Sequence, residues 1–559
     1  MSSLKQNLAE ELSLILGIEI KDIDLTEPPE RRMGDFCFAC FSLAKEQKKA
    51  PPELAKQLSD KINVAKSKII ESAQNIGPYV NLFVDRRANK AVLISPLLPK
   101  TAKSKIMIEY SQPNTHKEFH IGHLRNACLG ASLVNIYRAL GNKVISANYI
   151  GDAGVHVAKC LWALLNYHKN EQYPQNKGEF LGTVYSQACA LLEGREELNK
   201  EVSEIQKKLE AGDKELTELW KKTKKWSLES FYRIYALLGI KFDEWFWESE
   251  EEKEGKKMLA QILKLKAIPH IKESQGAIIA DLSEFGLDVL VLIKSDGNAL
   301  YGAKDLPLGI KKFKKFKIDE AIYVVDNRQS LYLKQIFKLL NLLGFADKRK
   351  THVAYDFVTL PEGAMASRKG NVVTFESFYA EILEKALAET KKRHTDWTGV
   401  KLEKTARIIA LSAIKFNMLK YENNSVIVFD VNKALSFDGD SGPYLLYTVA
   451  RINSVIAKKK GVVGGVDFSL LKEPSEKELI LKISQFAEAV NNSQKANEPA
   501  LLAGYLIELA HKFNNFYHHC PILSVEKSLQ KSRLALLSKA KDALLLGLSL
   551  LNIESVGEM

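Results

Sequence analysis

Two imidazoles three residues apart, His120 and His123, follow a polar turn and open a helical pattern in IMIEYSQPNTHKEFHIGHLRNACLG, residues 106–130. At that spacing their Cβ atoms lie roughly 5 to 6 Å apart on a helix. Both rings can then donate hydrogen bonds to one phosphoryl group as charge develops on it, and Gly122 between them leaves room for a flat base. Ile106, Met107 and Ile108 read as a buried strand, Ser111, Gln112, Pro113 and Asn114 break it, and Gly122 to Leu140 carries apolar residues at helical period. Strand, loop and helix N-terminus in that order present unpaired N–H groups and the positive end of a helix dipole. A triphosphate is stabilised at such a turn.

FHIGHLRN resembles the first signature of class I aminoacyl-tRNA synthetases, and SQPNTHKEFHIGHLRN is similar to that of the arginyl-tRNA synthetases. LPEGAMASRKGNVV, residues 360–373, resembles the mobile second signature of that class, with Ala364 where the pattern has Lys and Ala366 where it has Ser. GDAGVHVAK departs from the family's GDWG, with Ala153 at the Trp position. The resemblance implies ATP-dependent ligation of L-arginine to tRNA(Arg) through an arginyl-adenylate, with MgATP as co-substrate and no tightly bound protein metal. It implies His120, His123 and Lys117 as catalytic residues, Lys117 supplying the cation that Ala364 lacks. His120, Gly122, His123, Met365, Ser367, Arg368 and Lys369 are then expected around ATP.

Selecting arginine requires carboxylates that fit a planar guanidinium, since bidentate pairing separates it from the point charge of lysine. Asp305 in SDGNALYGAKDLPLGI is the strongest candidate, with Tyr301 four residues earlier and so on the same helical face. By resemblance Glu248 in FDEWFWESE adds a second acid and Gln329 in DNRQSLYLKQIF a polar wall, while Glu109, Gln112 and Asn114 hold the α-amino and carboxylate ends. A pocket built on such hydrogen bonds rejects analogues lacking them by about 10⁴ to 10⁵, so no editing domain is needed.

These residues need a large frame. The chain has 559 residues, 46% of them hydrophobic, and a net charge of 80 minus 68, or +12. The length prior gives roughly three to four domains, and the basic balance favours an acidic partner such as nucleic acid. Residues 1–100 read as an N-terminal α/β module with helices near Leu4 to Leu16 and Pro52 to Ile62 and a strand in GPYVNLFVDRR. Residues 101–395 read as a Rossmann-like α/β catalytic domain, interrupted by a helical insertion at about 155–275. There GAIIADL, LDVLVLI and AIYVV are taken as further parallel strands. Residues 396–559 read as an all-α bundle. By resemblance the first part touches the D-loop corner of tRNA through Tyr79 and Asn81, and the bundle binds the anticodon. Tyr444, Tyr447 and Arg451 share one helical face, which by itself reads as bundle core and which the resemblance makes a surface for splayed bases. The family closes on Arg-Met, whereas this chain ends Gly557, Glu558, Met559, keeping Met559 for that contact.

Six scattered cysteines argue against a disulfide framework and for a reducing compartment. Cys37 and Cys40 form a CxxC without a second ligand pair at zinc spacing. The N-terminus lacks signal-peptide character and no apolar run approaches the roughly 20 residues that span a bilayer. A cytoplasmic monomer without membrane association is expected. Two competing readings are another class I synthetase, opposed by the Tyr301 and Asp305 pair, and a non-catalytic RNA-binding paralogue, motivated by Ala364.

Overall fold

The computed structural model describes residues 4–85, 88–99, 102–169, 171–361, 373–458 and 465–559. The expected ATP contacts Met365, Ser367, Arg368 and Lys369, and with them Ala364 and Ala366, lie outside the described residues. The chain divides into two compact units: Met1–Lys100 with Phe437–Ser549 and Glu554–Met559, and Thr101–Ser436 with Leu550–Ile553.

The second unit is built on a five-stranded parallel sheet. Its order is Arg349–Tyr355, Glu320–Asp326, Lys105–Glu109, Lys143–Ile150, Glu244–Trp247. Counted from Lys105–Glu109, that is the 3-2-1-4-5 order of a doubly wound nucleotide-binding sheet. Strand Glu320–Asp326 is buried at every position but the last, as a strand covered on both faces must be. The sequence direction reverses between Lys105–Glu109 and Glu320–Asp326. A crevice opens at the carboxyl ends of such a pair of strands.

Two expectations are corrected here. The strands Ile271–Ser274, Ala277–Asp281 and Val289–Ile293 are antiparallel and form their own three-stranded sheet. Gln275 and Gly276 both take positive φ, 50° and 77°, which makes a two-residue hairpin. A parallel pair would need a crossover of a dozen or more residues. The helical insertion is also shorter than 155–275. Its helices are Val155–Tyr167, Lys177–Leu192, Glu196–Glu210 and Lys214–Leu238, around Trp162, Leu181, Val184 and Trp226. The next strand, Glu244–Trp247, already pairs with the central sheet.

The boundary expected near residue 395 is not where the contacts divide. Helix Gly399–Leu419 packs on helices Phe375–Arg393 and Ile121–Ala139, and it is buried continuously from Ile408 to Leu419. A helical stretch buried on all sides must sit inside a core, and this one sits in the second unit.

The first unit combines a small antiparallel sheet, in the order Phe36–Ala39, Tyr79–Val84, Ile70–Ile76, with helices Leu4–Leu16 and Pro51–Val64. It also holds the helices Gly442–Ala457, Pro474–Ser484, Phe486–Ala496, Pro499–His519 and Lys527–Leu550. Leu481 from this helical part enters the core of the small sheet module. No helix among the described residues is long and apolar enough to cross a membrane.

Candidate active site

Strand Lys105–Glu109 ends in a loop whose backbone is held in an uncommon shape. Ser111, Gln112 and His116 all have positive φ, at 74°, 48° and 61°, conformations that non-glycine residues keep only when their surroundings impose them. Side chains do so here. Asn126 Oδ1 accepts from the Ser111 N–H at 2.5 Å, Asn148 Oδ1 accepts from the Gln112 N–H at 3.1 Å, and the His116 N–H donates to Ser227 Oγ at 2.9 Å.

The loop delivers His120 as the N-cap of helix Ile121–Ala139. His120 Nδ1 accepts from the N–H groups of Gly122 (3.1 Å) and His123 (3.4 Å), and His123 Nδ1 accepts from the His120 N–H at 3.3 Å. A neutral imidazole that accepts at Nδ1 carries its proton on Nε2. Both rings are therefore Nε2–H donors, stacked with centroids 3.8 Å apart. Burial, aided by the nearby Lys117 charge, pushes His120 down to about 4. Burial, His120 and Lys117 hold His123 well below the ordinary imidazole range. The missing Cβ of Gly122 makes room for the His120 ring, whose Cε1 stands 2.9 Å from where a Cβ would be. That differs from the flat base expected there.

These residues open into a cavity of about 720 Å³ at the sheet's reversal point. Its wall contains His120, Gly122 and His123 and all seven expected arginine contacts: Glu109, Gln112, Asn114, Glu248, Tyr301, Asp305 and Gln329. Asn114 bridges to Gly151, where a Cβ would stand 2.1 Å from Asn114 Oδ1, so only glycine permits the approach. Glu248 and Tyr301 open the helices Glu248–Leu265 and Tyr301–Phe316, and Asp305 lies one turn into the second. Gln329 precedes helix Ser330–Leu340.

The charges in the wall are unequally matched. Glu109 pairs with Lys312 at 2.7 Å, both buried, and Glu248 pairs with Lys304 at 2.9 Å, also buried. Lys304 reaches Glu252 as well, and Glu251 pairs with Lys311, so of this acidic run Glu248 is the one that faces the cavity. Asp305 differs. Its Oδ2 accepts from the Tyr332 hydroxyl at 2.5 Å, while Oδ1 is shielded from solvent without a hydrogen-bond partner among the described residues. Burial pushes the carboxyl up to about 7 against the lowering effect of Tyr332. The hydroxyl of Tyr149, also in the wall, is likewise unpartnered. An unpaired buried acceptor costs about 1 to 3 kcal/mol, more when charged. A donor-rich planar cation against Asp305 would remove that cost.

The residues on either side of the second signature reach the same site. Phe357 and Val358 line the cavity before residues 362–372, and Thr374 after them bridges to His120. Arg125, buried in the imidazole helix, donates to the carbonyls of Asp356, Phe357, Glu422, Asn423 and Ser425. Three profiles match this chain: the class I (R) tRNA synthetase catalytic domain over residues 90–431, the DALR anticodon-binding domain over 445–559, and the arginyl-tRNA synthetase N-terminal domain over 2–84. The chain belongs to the class I arginyl-tRNA synthetase family. The arginine–tRNA ligase of Bdellovibrio bacteriovorus is 38% identical over 554 residues, 96% of this chain and 94% of that one. That of Clostridium perfringens is 33% identical over 99% and 100%. The arginyl-tRNA synthetase structure from Thermus thermophilus superposes with a TM-score of 0.85 at 28% identity, covering both chains completely.

Not every expected residue reaches this cavity. Lys117 is absent from its wall and holds its ammonium over the Tyr185 ring, 5.0 Å from the centroid. In the first unit Tyr79 is 40% exposed beside the exposed Phe41, whereas Asn81 is 2% exposed. Asn81 thus does not present its amide to a base in this conformation. Tyr444 is buried, with its hydroxyl accepting from Asn514 and its ring against His511. Arg451 donates to Asn514 and to the Tyr447 hydroxyl and lies over the Tyr447 ring. Near the terminus that ends in Met559, Gly557 O accepts from Asn453. Sequence reasoning missed Tyr149, Lys304, Lys312 and Tyr332. Lys312 sits in IKKFKKFK, which reads as a solvated basic face until the helix register is known.

Proposed function

We propose that the protein joins L-arginine to tRNA(Arg) in two steps at this cavity, consuming ATP. The arginine carboxylate attacks the α-phosphorus of ATP to give arginyl-adenylate and pyrophosphate, and the terminal ribose hydroxyl of tRNA then takes the arginyl group, releasing AMP. The observation that carries this reading is Asp305, whose Oδ1 is unpartnered and which, unlike Glu109 and Glu248, has no cation paired with it among the described residues, with two neutral Nε2–H imidazoles lining the same cavity. One guanidinium satisfies the first. The α-phosphoryl oxygens, gaining charge as the carboxylate approaches, are met by the second, and positioning supplies much of the remaining acceleration.

Tyr301, Glu248 and Gln329 complete the side-chain pocket, and Glu109, Gln112 and Asn114 orient the α-amino and carboxylate ends. Lys117 is assigned an electrostatic role, since its charge acts on both imidazoles. Met365, Ser367, Arg368 and Lys369 are assigned to the phosphates of ATP. Magnesium would come with those phosphates; no group of three metal-ligating side chains comes together among the described residues. The anticodon contacts are assigned to Tyr447, Arg451 and Met559, and a D-loop contact to Tyr79. We further propose a cytoplasmic monomer, in keeping with six free cysteines.

Charging of total tRNA with each of the twenty labelled amino acids, by wild-type and His123→Ala protein, tests the reading. Arginine alone, lost in the variant, is expected. Charging of another amino acid would overturn the substrate, and tRNA binding without any charging would make the protein an RNA-binding paralogue.

A further inference from the structure

We propose that the insertion helix Lys214–Leu238 is the frame that fixes the spacing of the arginine pocket, with Tyr235 and Lys224 as its positioning residues. The proposal rests on the activity described above and gives the helical insertion a task within it.

One face of this helix carries Trp220, Thr223, Lys224 and Ser227, three and four residues apart, and Tyr235 eight residues further on, two four-residue steps along the same face. Each holds part of a loop that reaches the cavity. The Tyr235 hydroxyl bonds Ser111 Oγ at 2.7 Å and accepts from Asn148 Nδ2 at 3.0 Å, and Asn148 Oδ1 in turn fixes the Gln112 N–H. Thr223 and Ser227 hold the ring and the N–H of buried His116. These are the three left-handed residues of the loop, and such a conformation persists only when it is held from outside.

At the other end of the helix, Trp220 Nε1 donates to the Asp152 carbonyl, and Lys224 pairs with the fully buried Asp152 carboxylate at 2.6 Å. That same carboxylate accepts from the N–H and hydroxyl of Ser249, the residue after Glu248. Lys224 therefore sets Asp152, Asp152 sets the start of helix Glu248–Leu265, and that start carries Glu248 into the cavity. Tyr235 sets Gln112 on the other side. From Trp220 to Tyr235 is roughly 22 Å at 1.5 Å per residue, so one rigid rod spans the supports of both walls.

The rod is itself secured. Asp213 caps its first turn, Gly239 ends it at φ 65°, and the Leu238 carbonyl accepts from Lys415 Nζ and Asn552 Nδ2. None of the face residues named here lines the cavity. Their influence on arginine is through the loops alone.

The test compares full-length wild type with Tyr235→Phe, Lys224→Met, Lys224→Arg and, as a control on an exposed position of the same helix, Lys225→Met. ATP–pyrophosphate exchange with tRNA present gives KM for arginine and for ATP separately, and calorimetric titration with arginine reads the pocket without catalysis. Tyr235→Phe and Lys224→Met are expected to weaken arginine about tenfold, the scale of one buried hydrogen bond left unmet. KM for ATP should stay within about twofold, Lys224→Arg should recover most of the loss, and Lys225→Met should behave as wild type. Equal weakening of arginine and ATP, or a lowered Tm with both constants unchanged, would reduce the helix to a scaffold and overturn the proposal. Wild type that binds arginine by calorimetry but shows no exchange would overturn the activity instead, leaving the calorimetric comparison to judge the helix.

Discussion

The Tyr332 hydroxyl donates to Asp305 Oδ2 at 2.5 Å, and the other carboxylate oxygen of Asp305 faces no donor among the described residues. The tyrosine fixes the plane of the carboxylate and occupies one oxygen, so a planar partner has one approach. Glu109 and Glu248, already matched by Lys312 and Lys304, add shape and acceptors without adding unmatched charge. Among the described residues the wall thus carries one acid without a cation beside it, Asp305, the right number for one guanidinium.

Arginine binding should depend on pH through that acid. Asp305 is pushed up to about 7 by burial and must ionise to meet a cation, so KM for arginine should rise as pH falls from about 8 to about 6, approaching tenfold per unit on the acid side. Removing the Tyr332 donor raises the carboxyl further, and Tyr332→Phe should move this limb to higher pH. Stability without arginine runs the other way. The folded carboxyl holds its proton more tightly than the unfolded one near 3.8, so its contribution is full below that value and lost as pH climbs through about 7. Asp305→Asn should therefore gain Tm over wild type progressively between pH 4 and 7 and no further above. An arginine KM flat from pH 6 to 8 in wild type would remove Asp305 from the pocket.

The imidazole pair should contribute no limb of its own in that range. Burial holds His120 at about 4 and His123 well below the ordinary value, and the backbone N–H donors at their Nδ1 atoms fix the Nε2–H form. Nitrogen-15 NMR of histidine-labelled protein should show both rings neutral and protonated at Nε2 from pH 8 down to about 5. Protonation of either ring near 6.5 would mean that cationic histidines, and another mechanism of charge stabilisation, serve the phosphates.

How far the sequence reveals this site depends on the range of the interactions involved. Ile106 to Leu140 is legible because strand, polar turn and helix follow one another locally, and His120 and His123 declare themselves within four residues. Strand pairing is not local: Ile278 to Ile293 has the same apolar runs as a parallel strand, and only the Gln275-Gly276 turn at its edge marks a hairpin. Lys304 and Lys312 look like surface lysines until helix Tyr301–Phe316 is turned against Glu248 and Glu109. Tyr149 and Tyr332 have no motif at all, and their roles come from what lies across the cavity. In the first unit the same strand offers Tyr79 outward and buries Asn81, a difference that alternation cannot foresee for two residues of equal parity.

That contrast can be measured with RNA. Tyr79 is exposed and braced by the edge of Phe41 at 6.0 Å, an arrangement open to a stacked base. Stacking is worth about 1 to 3 kcal/mol per base, so Tyr79→Ala should raise KM for tRNA roughly tenfold with KM for arginine unchanged. Asn81→Ala should instead lower Tm and leave tRNA affinity within about twofold. The reverse pattern would return the base contact to Asn81.

Helix Tyr301–Phe316 contains Pro307, which has no N–H, so the Ala303 carbonyl one turn earlier lacks its usual helical partner. Gly255 of helix Glu248–Leu265 packs directly on that carbonyl, and a Cβ there would fall 1.8 Å from the Ala303 oxygen, far inside contact. The clash is with backbone, so it cannot be relieved by a rotamer. Gly255→Ala must push apart the two helices that carry Glu248 and Asp305, disturbing the Lys304 pair between them. Overpacking of this kind costs about 1 to 3 kcal/mol, and KM for arginine should rise about tenfold alongside the loss of stability. Gly504, exposed in helix Pro499–His519 with nothing within 4 Å of its Cβ position, supplies the opposite sign. There alanine relieves the helical penalty of glycine, and Gly504→Ala should stabilise by about 0.5 to 1 kcal/mol with arginine kinetics unchanged. Urea unfolding and arginine KM of the two variants side by side separate helix propensity from close packing. Gly255→Ala with wild-type KM and raised stability would mean that the helices carrying Glu248 and Asp305 do not depend on this contact for their spacing.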